Sequence, residues 1–309
     1  MKIVVSGGTG FIGKTLLKKL VEAGHQVVLL ARNPDAVKQL ASASMILEPW
    51  DGRSVGRWAD RMENIDAVIN LSGEPVVGKR WNEEQKTRIL KSRIDATRAL
   101  TSAMAQCRKR PSVFVNASAV GYYGDVPSGE VTESSPKGKG FLGDTCDEWE
   151  QTARSAEAWG IRVVLLRIGI VLEKDGGALQ KMIPPFTFFA GGPLGSGRQW
   201  LPWVHRDDVV GMILFALENS SVRGPVNATA PNPVTMKEFC ATLGKVMRRP
   251  SWAPVPAFLL RLLLGEMSEV LLSGQRVIPK KLKEAGYTFR YSLLEEALAA
   301  IFKKSPYDS

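Results

Sequence analysis

Three glycines spaced three residues apart, in Ser6-Gly7-Gly8-Thr9-Gly10-Phe11-Ile12-Gly13, could bring bare backbone against a phosphate group. They lie between a short apolar run, Ile3-Val4-Val5, and a stretch with helical spacing, Leu16, Leu17, Leu20 and Val21. A strand turning into a helix at this point is the context that a dinucleotide-binding turn requires. Gly7 is expected to permit the tight turn, Gly10 to let a pyrophosphate approach, and Gly13 to let helix and strand pack closely. Because the amide groups at a helix start are unpaired and carry the positive end of its dipole, Thr9, Phe11 and Ile12 join the glycines as expected cofactor contacts.

The second strand bears on which dinucleotide is bound. Gly24 ends the first helix, and His25-Gln26-Val27-Val28-Leu29-Leu30-Ala31 reads as a buried strand leading to Arg32-Asn33-Pro34. A carboxylate near this point would accept hydrogen bonds from a ribose 2′-hydroxyl, whereas a 2′-phosphate needs a cation. Arg32 stands there and the nearest acid is Asp35, so NADP(H) is expected over NAD(H).

The elements that must hold these residues alternate. Met45-Ile46-Leu47 and Ala67-Val68-Ile69-Asn70-Leu71 read as strands three and four, Val113-Phe114-Val115-Asn116 as strand five, and Val163-Val164-Leu165-Leu166-Arg167 as a later strand. Long amphipathic helices are expected over 82–108 and 142–159, the second closed by Gly160. This rhythm predicts an α/β fold, a doubly wound parallel sheet covered on both faces. Past about Gly169 the rhythm loosens and Gly and Pro cluster, in Gly191-Gly192-Pro193-Leu194-Gly195-Ser196-Gly197. The expected division is therefore a nucleotide-binding domain over 1–170, its sheet completed by later segments, and a smaller, mostly helical substrate-binding lobe over 171–309.

Composition narrows the function class. The 309 residues are 44% hydrophobic and 23% charged, as in ordinary globular proteins, and the formal charge of +10 suits a phosphate-bearing ligand or a solvated cationic surface. Lys and Arg are dispersed and no nucleic-acid motif accompanies them, so no nucleic-acid partner is expected. Cys107, Cys146 and Cys240 are too few and too scattered for a disulfide framework or a metal knuckle, and no metal is expected. The apolar run Phe258-Leu259-Leu260-Arg261-Leu262-Leu263-Leu264 is too short to span a bilayer and reads as a buried or partner-facing helix. With the first strand starting at residue 3, a cytoplasmic protein without a leader or membrane contact is the expectation.

The glycine turn, Asn70-Leu71-Ser72-Gly73 after strand four, Ser118-Ala119-Val120-Gly121-Tyr122-Tyr123-Gly124 after strand five, and Trp203-Val204-His205-Arg206-Asp207-Asp208 together resemble the extended short-chain dehydrogenase/reductases of the sugar-nucleotide epimerase type. More narrowly, Asn70 to Pro75, Gly191 to Arg198 and Leu272 to Val277 resemble a branch called epimerase-family proteins, some of whose members are labelled cell-division inhibitors. The resemblance covers nearly the whole chain and implies a Rossmann-type domain. It implies that Leu71, Ser72 and Gly73 line the cofactor beyond the pyrophosphate, that Asp51 sits near the adenine, and that Arg93 meets the pyrophosphate or the nicotinamide end from its helix flank.

Catalysis is where the sequence departs from that family. Its dehydrogenases use a Ser or Thr to orient a carbonyl and a Tyr-x-x-x-Lys unit to move the proton, the lysine lowering the tyrosine pKa. Registering Glu150 on the family's glutamate puts Leu142 at the tyrosine and Cys146, beside the cofactor, at the lysine. Leucine has no proton to give and a neutral thiol supplies no positive field. The replacement is expected from Tyr122 or Tyr123 assisted by Ser118, with Glu74 or His205 as a distant helper, although a structural role at a helix start is the preferred reading of His205. Glu74 and Arg198, the latter in a polar loop that could equally be a connector, are the expected contacts for a small polyhydroxyl or anionic substrate. The resulting expectation is an NADP(H)-binding reductase or epimerase-like enzyme. The alternative is a catalytically silent NADPH-binding regulator, of cell division by the resemblance, acting through a protein partner. A homodimer is compatible with either.

Overall fold

The computed structural model describes residues 1–303. Seven strands form one parallel sheet in the order Gly224–Ala228, β7 (Arg162–Ile168), β5 (Val113–Ala119), β4 (Ala67–Asn70), β1 (Lys2–Ser6), β2 (Gln26–Ala31) and β3 (Met45–Pro49). The apolar runs read as strands are strands because both sheet faces are covered, so neither face needs polar side chains. Successive side chains still divide between the faces. Ile3, Val5, Val27 and Leu29 pack with Leu16 and Leu20 of α1 (Gly13–Glu22), along with Val209 and Ile213 from the later chain. Val4, Val28, Val68 and Phe114 pack on the other side with Leu100 and Met104 of α2 (Glu83–Gln106).

Helix boundaries follow local chemistry. The side chain of Asn82 accepts from the Gln85 amide and two glutamates follow, capping α2 and complementing its dipole. The helix expected over 142–159 is an α-helix, α3, only over Phe141–Arg154; the chain then tightens into a 3-10 turn over Ser155–Trp159, ended by left-handed Gly160. Between β5 and α3, strand β6 (Val126–Val131) pairs with Gln275–Val277, tying the C-terminal chain to the region after β5.

A third core gathers the later chain. Phe186 of α4 (Gly177–Thr187) meets Trp203, Phe239 and Leu243 of α6 (Met236–Met247), and Leu298 and Ile301 of the helix Leu294–Lys303. Between them α5 (Arg206–Glu218) returns the chain to the sheet for its seventh strand, Gly224–Ala228. The segment Phe258 to Leu264 forms α7 (Ala257–Leu264), with Leu260 buried and Phe258, Leu262 and Leu263 exposed. Among the described residues no helix is long and apolar enough to cross a membrane.

Candidate functional site

The sheet order reverses at β1, where the chain crosses from β3 to β4, and crevices at such switch points hold ligands in doubly wound folds. The glycine turn fills this position. Gly7 has φ +72°, and a Cβ there would lie 2.5 Å from the Leu71 carbonyl carbon, so the turn rests on the backbone leaving β4. At Gly13 a Cβ would stand 2.4 Å from the Gly7 oxygen, whereas at Gly10 the one close neighbour is that same oxygen at 3.2 Å. Gly10 therefore presents an open backbone face. The Phe11, Ile12 and Gly13 amides beside it have no hydrogen-bond acceptor among the described residues, and α1 begins without a side-chain cap. Phe11 directs its ring elsewhere, against Gly176 and Gly177 and 5.1 Å from the Arg206 guanidinium, tying the turn to α4 and α5.

Beyond β2, Arg32 is exposed and forms no ion pair among the described residues. The Trp50 amide donates to the Ala31 carbonyl, so the exits of β2 and β3 lie side by side and place Asp51 near Arg32 in the fold. The Asp51 carboxylate is turned onto its own loop, where it accepts from the Arg53 and Ser54 amides at 2.9 Å.

At the end of β4 a buried polar network shapes the backbone. Ser6 donates to Asn70 Oδ1 at 2.6 Å, the Ser72 amide donates to the same oxygen, and Asn70 Nδ2 donates to Thr97 and Asn116. Leu71, Ser72 and Gly73 are thus fixed beside the glycine turn. Arg93 does not reach outward as a free cation: its Nη1 donates to the Glu74 and Ile89 carbonyls, and its guanidinium lies 5.1 Å from the Trp149 ring. Burial lowers its pKa, and a Cβ on Gly73 would come within 3.1 Å of its Cζ. Arg93 braces the loop from beneath.

Cys146 is buried, and burial pushes its thiol up to about 11. Burial likewise raises Cys107, and Cys240 to about 12. Since the thiolate is the reactive form, a disulfide-exchange reagent at pH 8 is expected to label none of the three in the folded protein and all three in denaturant. Rapid labelling of a folded cysteine would contradict this burial.

At the end of β5 two of the three expected proton-handling groups are committed to the interior. Ser118 is 3% exposed and donates to Glu150 Oε1 at 2.7 Å. Glu150 also receives both prongs of Arg167, from Nε at 2.7 Å and Nη2 at 2.8 Å. Arg167 Nη1 donates to the Tyr123 hydroxyl, which donates in turn to Asn227 Oδ1 at 2.6 Å. Burial pushes the Tyr123 phenol up to about 12, keeping it neutral. Tyr122 differs. Its ring lies 3.5 Å from the Arg167 guanidinium, and no hydrogen bond among the described residues engages its hydroxyl. Lys137, an unexpected neighbour, is held at 2.7 Å by Asp144 and stands close enough for Tyr122 to act on it electrostatically.

Next to this network opens a cleft of about 330 Å³ between Gly121, the first turn of α3, Trp81 and the C-terminal chain from Arg261 to Gln275. Leu142, registered by resemblance at the tyrosine position, lines it with an aliphatic side chain. Neither expected substrate contact does. Glu74 lies 3.4 Å from Gln85 Nε2 and 3.6 Å from Lys79 Nζ. Arg198 is exposed on a loop tied down by bonds from the Gly195 amide to Val255 and from the Lys237 amide to Gly197. Lys139, Arg261 and Glu269 of the cleft carry no motif that would have marked them. His205 caps α5, its Nδ1 accepting from the Asp207 amide at 3.0 Å. Among the described residues no cluster of three His, Cys, Asp or Glu could hold a metal.

This geometry has relatives. Residues 3–228 match the NAD dependent epimerase/dehydratase family, and residues 255–301 match a domain of unknown function, DUF1731. An Arabidopsis thaliana protein named "Epimerase family protein SDR39U1 homolog, chloroplastic" is 44% identical over 308 residues, covering 98% of this chain and 87% of its own. "Epimerase family protein YfhF" of Bacillus subtilis is 42% identical, covering 97% and 98%. The crystal structure of human epimerase family protein SDR39U1 with NADPH superposes with TM-score 0.86 at 34% identity, covering 97% of this chain and 99% of that one. A UDP-glucuronic acid 4-epimerase from Bacillus cereus, at 20% identity and TM-score 0.77, shares the fold. The chain belongs to the NAD-dependent epimerase/dehydratase family.

Proposed function

We propose that this protein binds NADP(H) across the glycine turn and acts as a reductase or epimerase-like enzyme on a small molecule held in the cleft beside Leu142. The observation that carries the cofactor assignment is the pairing of the open Gly10 face and its three amides with Arg32 past β2, the amides without acceptors and Arg32 without an acidic partner among the described residues. The human relative crystallised with NADPH supports it. When bound, the cofactor supplies a hydride. The chain's part is to hold the phosphates on the α1 amides, meet the 2′-phosphate with Arg32, and line the nicotinamide end with Leu71, Ser72 and Gly73. Of the expected proton donors Tyr122 is the one whose hydroxyl has no hydrogen-bond partner among the described residues, while Ser118 and Tyr123 are bonded in the interior beside it.

Calorimetry with both cofactors tests this reading. The wild type is expected to prefer NADPH, and Arg32→Asp to weaken NADPH at least about tenfold while sparing NADH, because an attraction becomes a repulsion. Equal wild-type affinities would sink the assignment. The aliphatic Leu142 and the buried commitments of Ser118 and Tyr123 favour a second reading, a silent NADPH-dependent regulator, which predicts no turnover and a partner captured only with NADPH present. Tyr122→Phe lowering turnover without changing NADPH affinity would decide for the enzyme.

A further inference from the structure

The cleft beside Leu142 has a charge balance that bears on what it can hold. Its ionisable lining residues are two cations, Lys139 and Arg261, and two acids, Asp125 and Glu269. Asp125 is occupied, accepting from the Gly274 amide at 3.0 Å. Among the described residues the side chains of Lys139, Arg261 and Glu269 enter no ion pair or hydrogen bond, although many surface charges of this chain are paired. One wall is aromatic. Trp81 and Phe141 meet edge to face with centroids 5.1 Å apart, and Trp81 Nε1 is pinned to the Val76 carbonyl at 2.9 Å.

We propose that this cleft binds a small cyclic or aromatic carbonyl compound carrying a single carboxylate, and not a nucleotide sugar. This names a substrate class for the enzyme proposed above and rests on that reading. Arg261 takes the carboxylate in its planar fork, Lys139 adds a second positive charge at the rim, and Glu269 accepts from a hydroxyl or amine of the same ligand. The Trp81–Phe141 wall and the side chain of Leu142 pack against the ring. A pyrophosphate would bring two negative charges to a lining that is neutral in sum, so its desolvation would go largely uncompensated. The cleft volume of about 330 Å³ also lies near the lower end of small-molecule sites, roughly 300–1,000 Å³.

Calorimetry on the NADPH-saturated full chain, using para-carboxybenzaldehyde, benzaldehyde and UDP-glucuronic acid as probes, tests the proposal. The carboxylated aldehyde is expected to bind most tightly, and Arg261→Ala to weaken it about tenfold with benzaldehyde unaffected. Lys139→Ala should act in the same direction by a smaller factor. Both residues are exposed, so the variants are expected to fold, and their unchanged NADPH affinity verifies it. Tightest binding by UDP-glucuronic acid, no binding of the carboxylated aldehyde, or indifference to Arg261→Ala would overturn the proposal. An NADPH titration of the wild type keeps the two readings apart: failure there refutes the cofactor assignment, whereas failure of the probes with NADPH bound refutes only the substrate class.

Discussion

Arg167→Met is expected to lower folding stability by about 3–5 kcal/mol, the usual cost of breaking a buried ion pair from one side. Arg167 is 2% exposed, and its removal strands the Glu150 carboxylate in the interior with Ser118 as its remaining side-chain donor. Tyr123 loses a hydrogen bond in the same step, and the Tyr122 ring loses the cation against its face. Urea unfolding of wild type and variant measures the difference. The double replacement Arg167→Met with Glu150→Leu is expected to recover part of the loss, since no uncompensated charge is then left behind. A loss below about 1 kcal/mol for the single variant would show that the pair is not closed in solution.

The glycine turn supports a second large effect, and two of its positions are expected to fail differently. Gly13→Ala puts a Cβ 2.4 Å from the Gly7 oxygen and 2.5 Å from the Gly8 Cα, both backbone atoms that no rotamer change can move. It should cost about 1–3 kcal/mol in stability, as overpacking does, and distort the turn enough to lose NADPH. Gly10→Val meets only the Gly7 oxygen at 3.2 Å, so the protein should fold with nearly wild-type stability. Its branched side chain nevertheless occupies the face proposed for the pyrophosphate, and on that proposal NADPH affinity should fall about a hundredfold or more. Thermal unfolding and NADPH titration of both variants separate the two effects. Normal NADPH binding by folded Gly10→Val would show that the phosphates lie elsewhere.

Much of the backbone geometry of the glycine turn was legible in the chain itself. Gly7 has a positive φ, Gly10 an open face and Gly13 a close backbone approach, features of a strand-to-helix glycine turn. A turn and the strand and helix it joins depend on neighbours within about ten residues, where backbone sterics and hydrophobic period act directly. Arg32 was visible for the same reason: the residue after a strand stays at the strand's end. The departure at Leu142 was visible only through the resemblance.

The interior of the site was decided by tertiary structure. Ser118, Glu150, Arg167, Tyr123 and Asn227 come from separate elements, with Tyr123 and Asn227 104 residues apart. Nothing in the sequence around Ser118 or Tyr123 says that their hydroxyls are spent on such partners, or that Arg93 turns under the Gly73 loop. The cleft likewise exists because the strand Gln275–Val277 adds to β6, bringing Arg261 and Glu269 opposite Lys139 and Trp81. Periodicity in a sequence records which face of an element is buried; the partner a polar group finds on that face depends on which distant segment packs there, because a hydrogen bond is made only at about 3 Å and only with the correct orientation.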